Sequence, residues 1–165
     1  MLAAIAVPAL IREYRPDDFE PLWRIDQACF TRGISYTRRE LAFYIGQKRG
    51  FTLVAQSDGT IVGFVVVDRG RQSQGHVITI DVLPAARRSG LGSRLMAAAE
   101  ERLRALGCSG VFLETAVDNA AALAFYKRRG YAVVHTIPRY YLDSIDALVL
   151  TKDLTPQGSD VGPEA

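Results

Sequence analysis

The segment from Val77 to Leu106 constrains the fold more than any other part of the chain. An apolar run, Val77 to Leu83, stops at Pro84 and gives way to Arg87-Arg88-Ser89-Gly90-Leu91-Gly92. From Leu91 to Leu106 apolar residues then recur at helical spacing. The pattern predicts a strand that passes through a glycine-bearing turn into a helix. The first N–H groups of a helix have no partner within it, and the helix dipole favours negative charge there. Gly90 and Gly92 remove side chains that would block a phosphate, while Arg87 and Arg88 bring charge and forked donors. Ser89, Leu91 and Ser93 complete the turn and the opening helical residues. The segment is therefore an expected anion site. A P-loop would close on Gly-Lys-Ser/Thr, which is absent. A dinucleotide loop would need a glycine where Arg87 stands.

The flanking sequence places this unit in a larger α/β pattern. Ile11 to Tyr14 reads as a strand, and Arg15-Pro16-Asp17-Asp18 as a turn leading into a helix through Phe19, Leu22, Trp23, Ile25 and Phe30. A loop over Thr31 to Ser35 separates it from a second helix, Thr37 to Gln47. Phe51 to Gln56 and Ile61 to Asp68 form an expected hairpin around Ser57-Asp58-Gly59-Thr60. Arg69 to Gly75 reads as a polar connection. Beyond the central unit come a strand at Val111 to Thr115, a helix at Asn119 to Arg129, and strands at Tyr131 to Ile137 and Ala147 to Lys152. An early hairpin followed by a strand–helix–strand unit implies a mixed central sheet with helices on both faces. Met1 to Leu10 reads as a leader and the stretch from Thr155 as a disordered tail.

Composition narrows the class. The 165 residues suffice for one domain with its own core, without disulfides or metal. A formal net charge of +2 with no dense Lys/Arg block argues against nucleic acid. Cys29 and Cys108 match no metal-ligand spacing, so the reading is two reduced thiols in a cytoplasmic protein. No stretch reaches transmembrane length.

Arg87 to Gly92 resembles the acetyl-CoA signature of the GNAT acetyltransferase superfamily, Arg/Gln-x-x-Gly-x-Gly/Ala. A second block, Leu113-Glu114-Thr115-Ala116-Val117-Asp118-Asn119 through Ala124-Phe125-Tyr126-Lys127-Arg128-Arg129-Gly130-Tyr131, resembles the C-terminal half of that family in order and spacing. It is most similar to the RimI-like branch of N-terminal protein acetyltransferases. A third block, Arg139-Tyr140-Tyr141-Leu142-Asp143-Ser144-Ile145-Asp146-Ala147, is similar to the Tyr-Tyr…Asp-Ala segment of the same branch. Together the likeness covers residues 11 to 154. It implies a single GNAT domain with acetyl-CoA as donor and no metal. The implied acceptor is an amine, foremost the α-amine of a protein N-terminus such as that of a ribosomal protein. The implied assembly is a monomer or homodimer. Two other readings stay open: acetylation of a small amine (polyamine, amino acid or antibiotic) and a non-catalytic acyl-CoA binding module.

The resemblance also implies roles. The attacking nitrogen must be neutral. An α-amine, with a pKa near ~8, needs only a modest base, whereas lysine sits near ~10.4. Glu114 matches the branch's general base at a strand end, and Tyr126 the tyrosine that protonates the departing thiolate. Asn119 is expected both to cap its helix and to reach the cofactor, with Asp118 as the competing cap. Val82 and Leu83 are expected to offer backbone groups to the pantetheine arm, on a strand that splays from its neighbour. Phe30, Ile34 and Tyr36, facing Tyr140 and Tyr141, resemble the two walls that grip the acceptor. Arg32, Arg38 and Arg39 read first as a solvated basic loop, with a preference for an acidic peptide as the alternative. The catalytic tyrosine that some eukaryotic relatives carry before the phosphate loop is missing from His76-Val77-Ile78-Thr79. His76 and His135 have no evident partners and read as strand-edge or core residues.

Overall fold

The computed structural model describes residues 8–30 and 34–155. Most of the expected leader, Arg32 and its neighbours, and nearly all of the expected tail lie outside the described residues. In chain order the elements are β1 (Leu10–Glu13), α1 (Phe19–Cys29), α2 (Arg38–Ile45), β2 (Phe51–Ser57), β3 (Thr60–Arg69) and β4 (Gln74–Val82). They continue with α3 (Leu91–Ala105), β5 (Gly110–Ala116), α4 (Ala120–Arg128), β6 (Ala132–Tyr141) and β7 (Ile145–Asp153). The strands form one seven-stranded sheet in the order β1-β2-β3-β4-β5-β7-β6. All neighbours are antiparallel except β4 and β5, which run parallel across the α3 crossover.

Side chains alternate across a strand, and that alternation sorts the apolar runs into two layers. Leu53, Ala55, Val65 and Val67 face α3, where they meet Leu91, Leu95, Met96, Ala99 and Leu103. Val54, Phe64 and Val66 face the other way and pack on Leu22 and Ile25 of α1 and Leu41 of α2. The unbroken apolar character of β3 follows from burial on both faces. Its hairpin with β2 turns at Asp58 and Gly59, both at positive φ, as the Asp-Gly signal requires.

The strands run longer than the sequence pattern suggests. Arg69 belongs to β3, and Gln74 and Gly75 belong to β4, so the polar connection shrinks to four residues, 70–73. Gly75 is there for packing: a Cβ at that position would meet Leu103 Cδ1 at 2.5 Å. The segment after Ile137, expected as a loop, continues β6 to Tyr141 and turns directly into β7 at Ile145. Leu142 and Asp143 both adopt positive φ in that turn, without a glycine to announce it. Arg139 N–H is tied to Asp146 Oδ1 at 2.9 Å. The tyrosine pair therefore sits on a strand hairpin.

Candidate active site

The turn before α3 has the form of an anion cradle. Gly90 takes φ 78° as N-cap, and a Cβ there would meet nothing within 4 Å. No side chain caps the helix and no acidic residue enters its first turn. Intrahelical bonding begins at Arg94 N–H, which reaches the Gly90 carbonyl at 3.1 Å, so the N–H groups of Leu91, Gly92 and Ser93 lack helical partners. Ser89 Oγ braces the turn by donating to the Ala86 carbonyl at 2.7 Å. Gly92 packs under Phe125, 3.4 Å from where a Cβ would lie. Arg88 is exposed, with φ 64°. Arg87 turns back along the strand and donates from Nε to the Val82 carbonyl at 3.0 Å.

β4 and β5 pair only from Gln74 to His76, against Gly110 to Phe112. Beyond His76 the two parallel strands part, leaving a gap that opens toward the start of α3. Val82 lies on this unpaired stretch, and its carbonyl also accepts from Cys29 Sγ at 3.4 Å. Leu83 departs from the expectation placed on it. Its N–H is spent on the Val62 carbonyl at 2.9 Å, and its carbonyl accepts from Ala86 N–H at 2.8 Å, so its backbone is already paired within the chain.

Where the strands part, His76 Nε2 lies 2.6 Å from Glu114 Oε2. An ionised carboxylate only accepts, so the contact is a hydrogen bond in the tautomer with the imidazole proton on Nε2. The ring also stacks on Phe112, its register partner, with centroids 4.3 Å apart at 12°. The expectation that His76 has no partner is thereby corrected. The partner stands on another strand, beyond the reach of local spacing. His135 is exposed on β6.

Two tyrosines, Tyr140 and Tyr141, lie beside this pair, and Tyr36 and Tyr44 adjoin them. Burial raises both the Tyr140 and Tyr141 phenols; the nearby Glu114 charge comes next for Tyr140, and for Tyr141 it follows Tyr140 itself. Tyr36 is raised by burial and by the adjoining Tyr44, Tyr140 and Tyr141. The β6–β7 hairpin thus lies beside Glu114, and Tyr36 adjoins that hairpin from the segment after α1. Tyr44, edge-on to Tyr36 at 5.3 Å, belongs to this group, although its helical position reads as plain packing. Phe30 and Ile34 are half-buried on the same loop. Arg38 is engaged elsewhere: it pairs with Glu20 and lies over the Trp23 ring at 4.2 Å, which removes it from the acceptor side.

Tyr126 lies on α4, buried edge-on between Phe125 and Tyr131. Burial, with smaller contributions from Asp81 and Tyr141, pushes its phenol well above the usual range, so the hydroxyl keeps its proton. Asn119 is the N-cap of α4, with Oδ1 accepting Ala122 N–H at 3.1 Å, which settles the cap in its favour over Asp118.

An uncapped helix start with open space above Gly90, leading into an unpaired length of β4, fits a phosphate-bearing thioester such as acetyl-CoA. Among the described residues no group of three or more His, Cys, Asp or Glu could hold a metal ion. The acetyltransferase (GNAT) family model matches residues 13–131. N-alpha-acetyltransferase 30 of Schizosaccharomyces pombe is 29% identical over 116 residues, covering 68% of this chain and 77% of that protein. Ard1 from Thermoplasma volcanium superposes with a TM-score of 0.81 at 30% identity, over 89% of this chain and 98% of that one. The ribosomal-protein-S18-alanine N-acetyltransferase from Escherichia coli shares the fold, with a TM-score of 0.80 at 21% identity over 94% of this chain and 99% of that one. This chain belongs to the GNAT family and is an acetyl-CoA-dependent N-acetyltransferase.

Proposed function

We propose that the acceptor is the α-amine of a protein or peptide N-terminus, with Glu114 as general base and Tyr126 as general acid. The observation that carries this reading is the His76–Glu114 pair, set where β4 and β5 part, with Tyr140 and Tyr141 of the β6–β7 hairpin beside it. An α-amine with a pKa near ~8 is already partly neutral at physiological pH, so a carboxylate can take its remaining proton directly or through one water. His76 holds that carboxylate in place. Bound acetyl-CoA supplies the thioester. The Leu91, Gly92 and Ser93 N–H groups with Arg87, Arg88 and Ser89 hold its phosphates, and Val82 and Asn119 line its arm. Tyr126 Oη, kept protonated by burial, delivers a proton to the leaving sulfur. Phe30, Ile34, Tyr36, Tyr140 and Tyr141 grip the acceptor. Relatives named N-alpha-acetyltransferase support this choice, and the E. coli neighbour suggests a ribosomal protein as one candidate acceptor.

The test is a thiol-release assay with acetyl-CoA against free N-terminal peptides, the same peptides blocked at the N-terminus but carrying lysine, and small amines. Turnover restricted to free N-termini is the expected result. Preferential turnover of polyamines, amino acids or lysine side chains would replace this acceptor assignment, and CoA binding without any turnover would mark a non-catalytic module.

A further inference from the structure

A second acid pair lies beneath the acceptor wall, apart from Glu114. Asp26 of α1 and Asp81 of β4 are 0% and 1% exposed, and their carboxyl groups face one another. Each has one oxygen satisfied from elsewhere. Asp81 Oδ1 accepts from Thr79 Oγ1 at 2.6 Å, and Asp26 Oδ2 accepts from Tyr36 N–H at 2.8 Å. The remaining oxygens, Asp26 Oδ1 and Asp81 Oδ2, are buried and have no hydrogen-bond partner. Two ionised carboxylates have only lone pairs to offer each other, so these two orphaned oxygens can satisfy one another only through a proton.

The pair sits at a junction. Tyr36, on the acceptor wall, is pinned at three points: its N–H by Asp26, its carbonyl by Gln27 Nε2 at 2.9 Å, and its hydroxyl on the Ile78 carbonyl at 3.3 Å. Asp81 immediately precedes Val82 on the strand assigned to the donor. We propose that Asp26 and Asp81 share one proton, and that the singly protonated pair is a positioning clamp holding the Tyr36 wall of the acceptor site against the donor strand. This rests on the reading that Tyr36 lines the acceptor site.

Burial raises both acids, each further raised by a like charge: Asp26 by Glu40, and Asp81, well above the ordinary range, by Asp26 itself. The other groups facing the pair are Cys29 of α1, Tyr36 of the loop, Glu40 of α2, Arg87 of the phosphate turn and Tyr126 of α4. Cys29, Tyr36 and Tyr126 are themselves pushed upward by burial, which keeps them neutral where the pair loses its proton. Once that proton leaves, two negative charges face each other in a dry space and the clamp opens. Asp81→Asn replaces the shared proton with a permanent donor of the same shape.

Three readouts test the clamp. Infrared spectroscopy of the wild type at neutral pH should show the carbonyl stretch of a buried neutral carboxylic acid, absent in Asp26→Asn/Asp81→Asn. The folded state holds a proton that the unfolded chain releases near ~3.9, so this stabilisation is complete below that pH and is lost as pH rises through the folded value. The melting temperature of Asp81→Asn should therefore gain on the wild type as pH rises from 5 to 8. Acceptor KM should climb about tenfold per pH unit above the pair's own pKa in the wild type, stay flat in Asp81→Asn, and leave acetyl-CoA KM unmoved in both. Absence of the acid band in the wild type, or superimposable KM profiles, overturns the proposal. If no N-terminal peptide is turned over, the acceptor assignment fails, while the infrared and melting results still decide whether the proton is shared.

Discussion

His76 Nε2 and Glu114 Oε2 meet at 2.6 Å beside the last register pair before β4 and β5 separate, so the proposed base is anchored at the inner end of the gap. If Glu114 accepts the amine proton, Glu114→Gln lowers kcat by about 10²- to 10³-fold and leaves acetyl-CoA affinity nearly unchanged. His76→Gln keeps a donor but loses the stack on Phe112, and a smaller loss, about tenfold, is expected. Rate profiles from pH 6 to 9 check both. An unchanged profile in Glu114→Gln would remove Glu114 as the base.

Tyr126→Phe preserves the ring packed between Phe125 and Tyr131 and removes only the hydroxyl. Its kcat should fall by roughly 10²-fold with the melting temperature little changed. Because burial raises the phenol, the acid form persists through the assay range, and no alkaline fall in rate below pH 10 should vanish in this variant. Loss of such a limb in Tyr126→Phe would contradict the direction of that shift.

Gly90→Glu imposes a side chain on a left-handed residue and places a carboxylate over the free N–H groups of α3. Calorimetry should find acetyl-CoA binding abolished. Retained binding in a folded variant would refute the placement of the phosphates on this turn.

What the sequence displays is what local chemistry requires. The start of α3 is legible because Gly90 must take positive φ, and the β2–β3 turn because Asp58-Gly59 must do the same. The β6–β7 turn is not legible, since Leu142 and Asp143 adopt positive φ without glycine, and the hairpin ladder holds them there. Glu114 stands out through its surrounding block, but His76 does not, because its meaning comes from pairing in space across two strands. Asp26 and Asp81 lie within apolar helix and strand patterns as isolated acids, and only burial on facing elements reveals that they are one unit. Leu83 shows the converse case: its N–H is taken by the Val62 carbonyl and its carbonyl by Ala86 N–H, pairings that the run of apolar residues does not announce.

Asp18 gives an acid-side prediction. Its carboxylate accepts from Arg12 at 2.8 and 2.9 Å and from Arg15 N–H at 2.7 Å, and the Arg12 hydrogen bonds hold it below the usual carboxylate range. A lowered folded pKa contributes stability that is present above the unfolded value, near ~3.9, and is lost as pH falls through the folded value. Asp18→Asn should therefore cost about 2 kcal/mol at pH 7, with the gap closing toward pH 3 in melting experiments.

Glu100 is the brace of the opposite face. Its carboxylate, 2% exposed, accepts from Arg129 at 3.0 Å, Lys152 at 2.8 Å and Tyr131 Oη at 3.2 Å, joining α3 to the end of α4 and to β7. Glu100→Ala strands two partly buried cations and should destabilise by about 3 kcal/mol in urea unfolding. A loss below 1 kcal/mol would show that the cations are satisfied by solvent instead.

The parting of β4 and β5 leaves the sheet joined across its middle by three residue pairs, with a four-stranded panel on one side and a three-stranded panel on the other. A cofactor arm lying in that gap would act as a rivet between the panels, because it would offer main-chain partners where β4 and β5 make no ladder bonds to each other. Donor binding would then do more than deliver an acetyl group: it would complete the sheet, and amide hydrogen exchange in β4 beyond His76 and in β5 beyond Phe112 should slow together when it arrives.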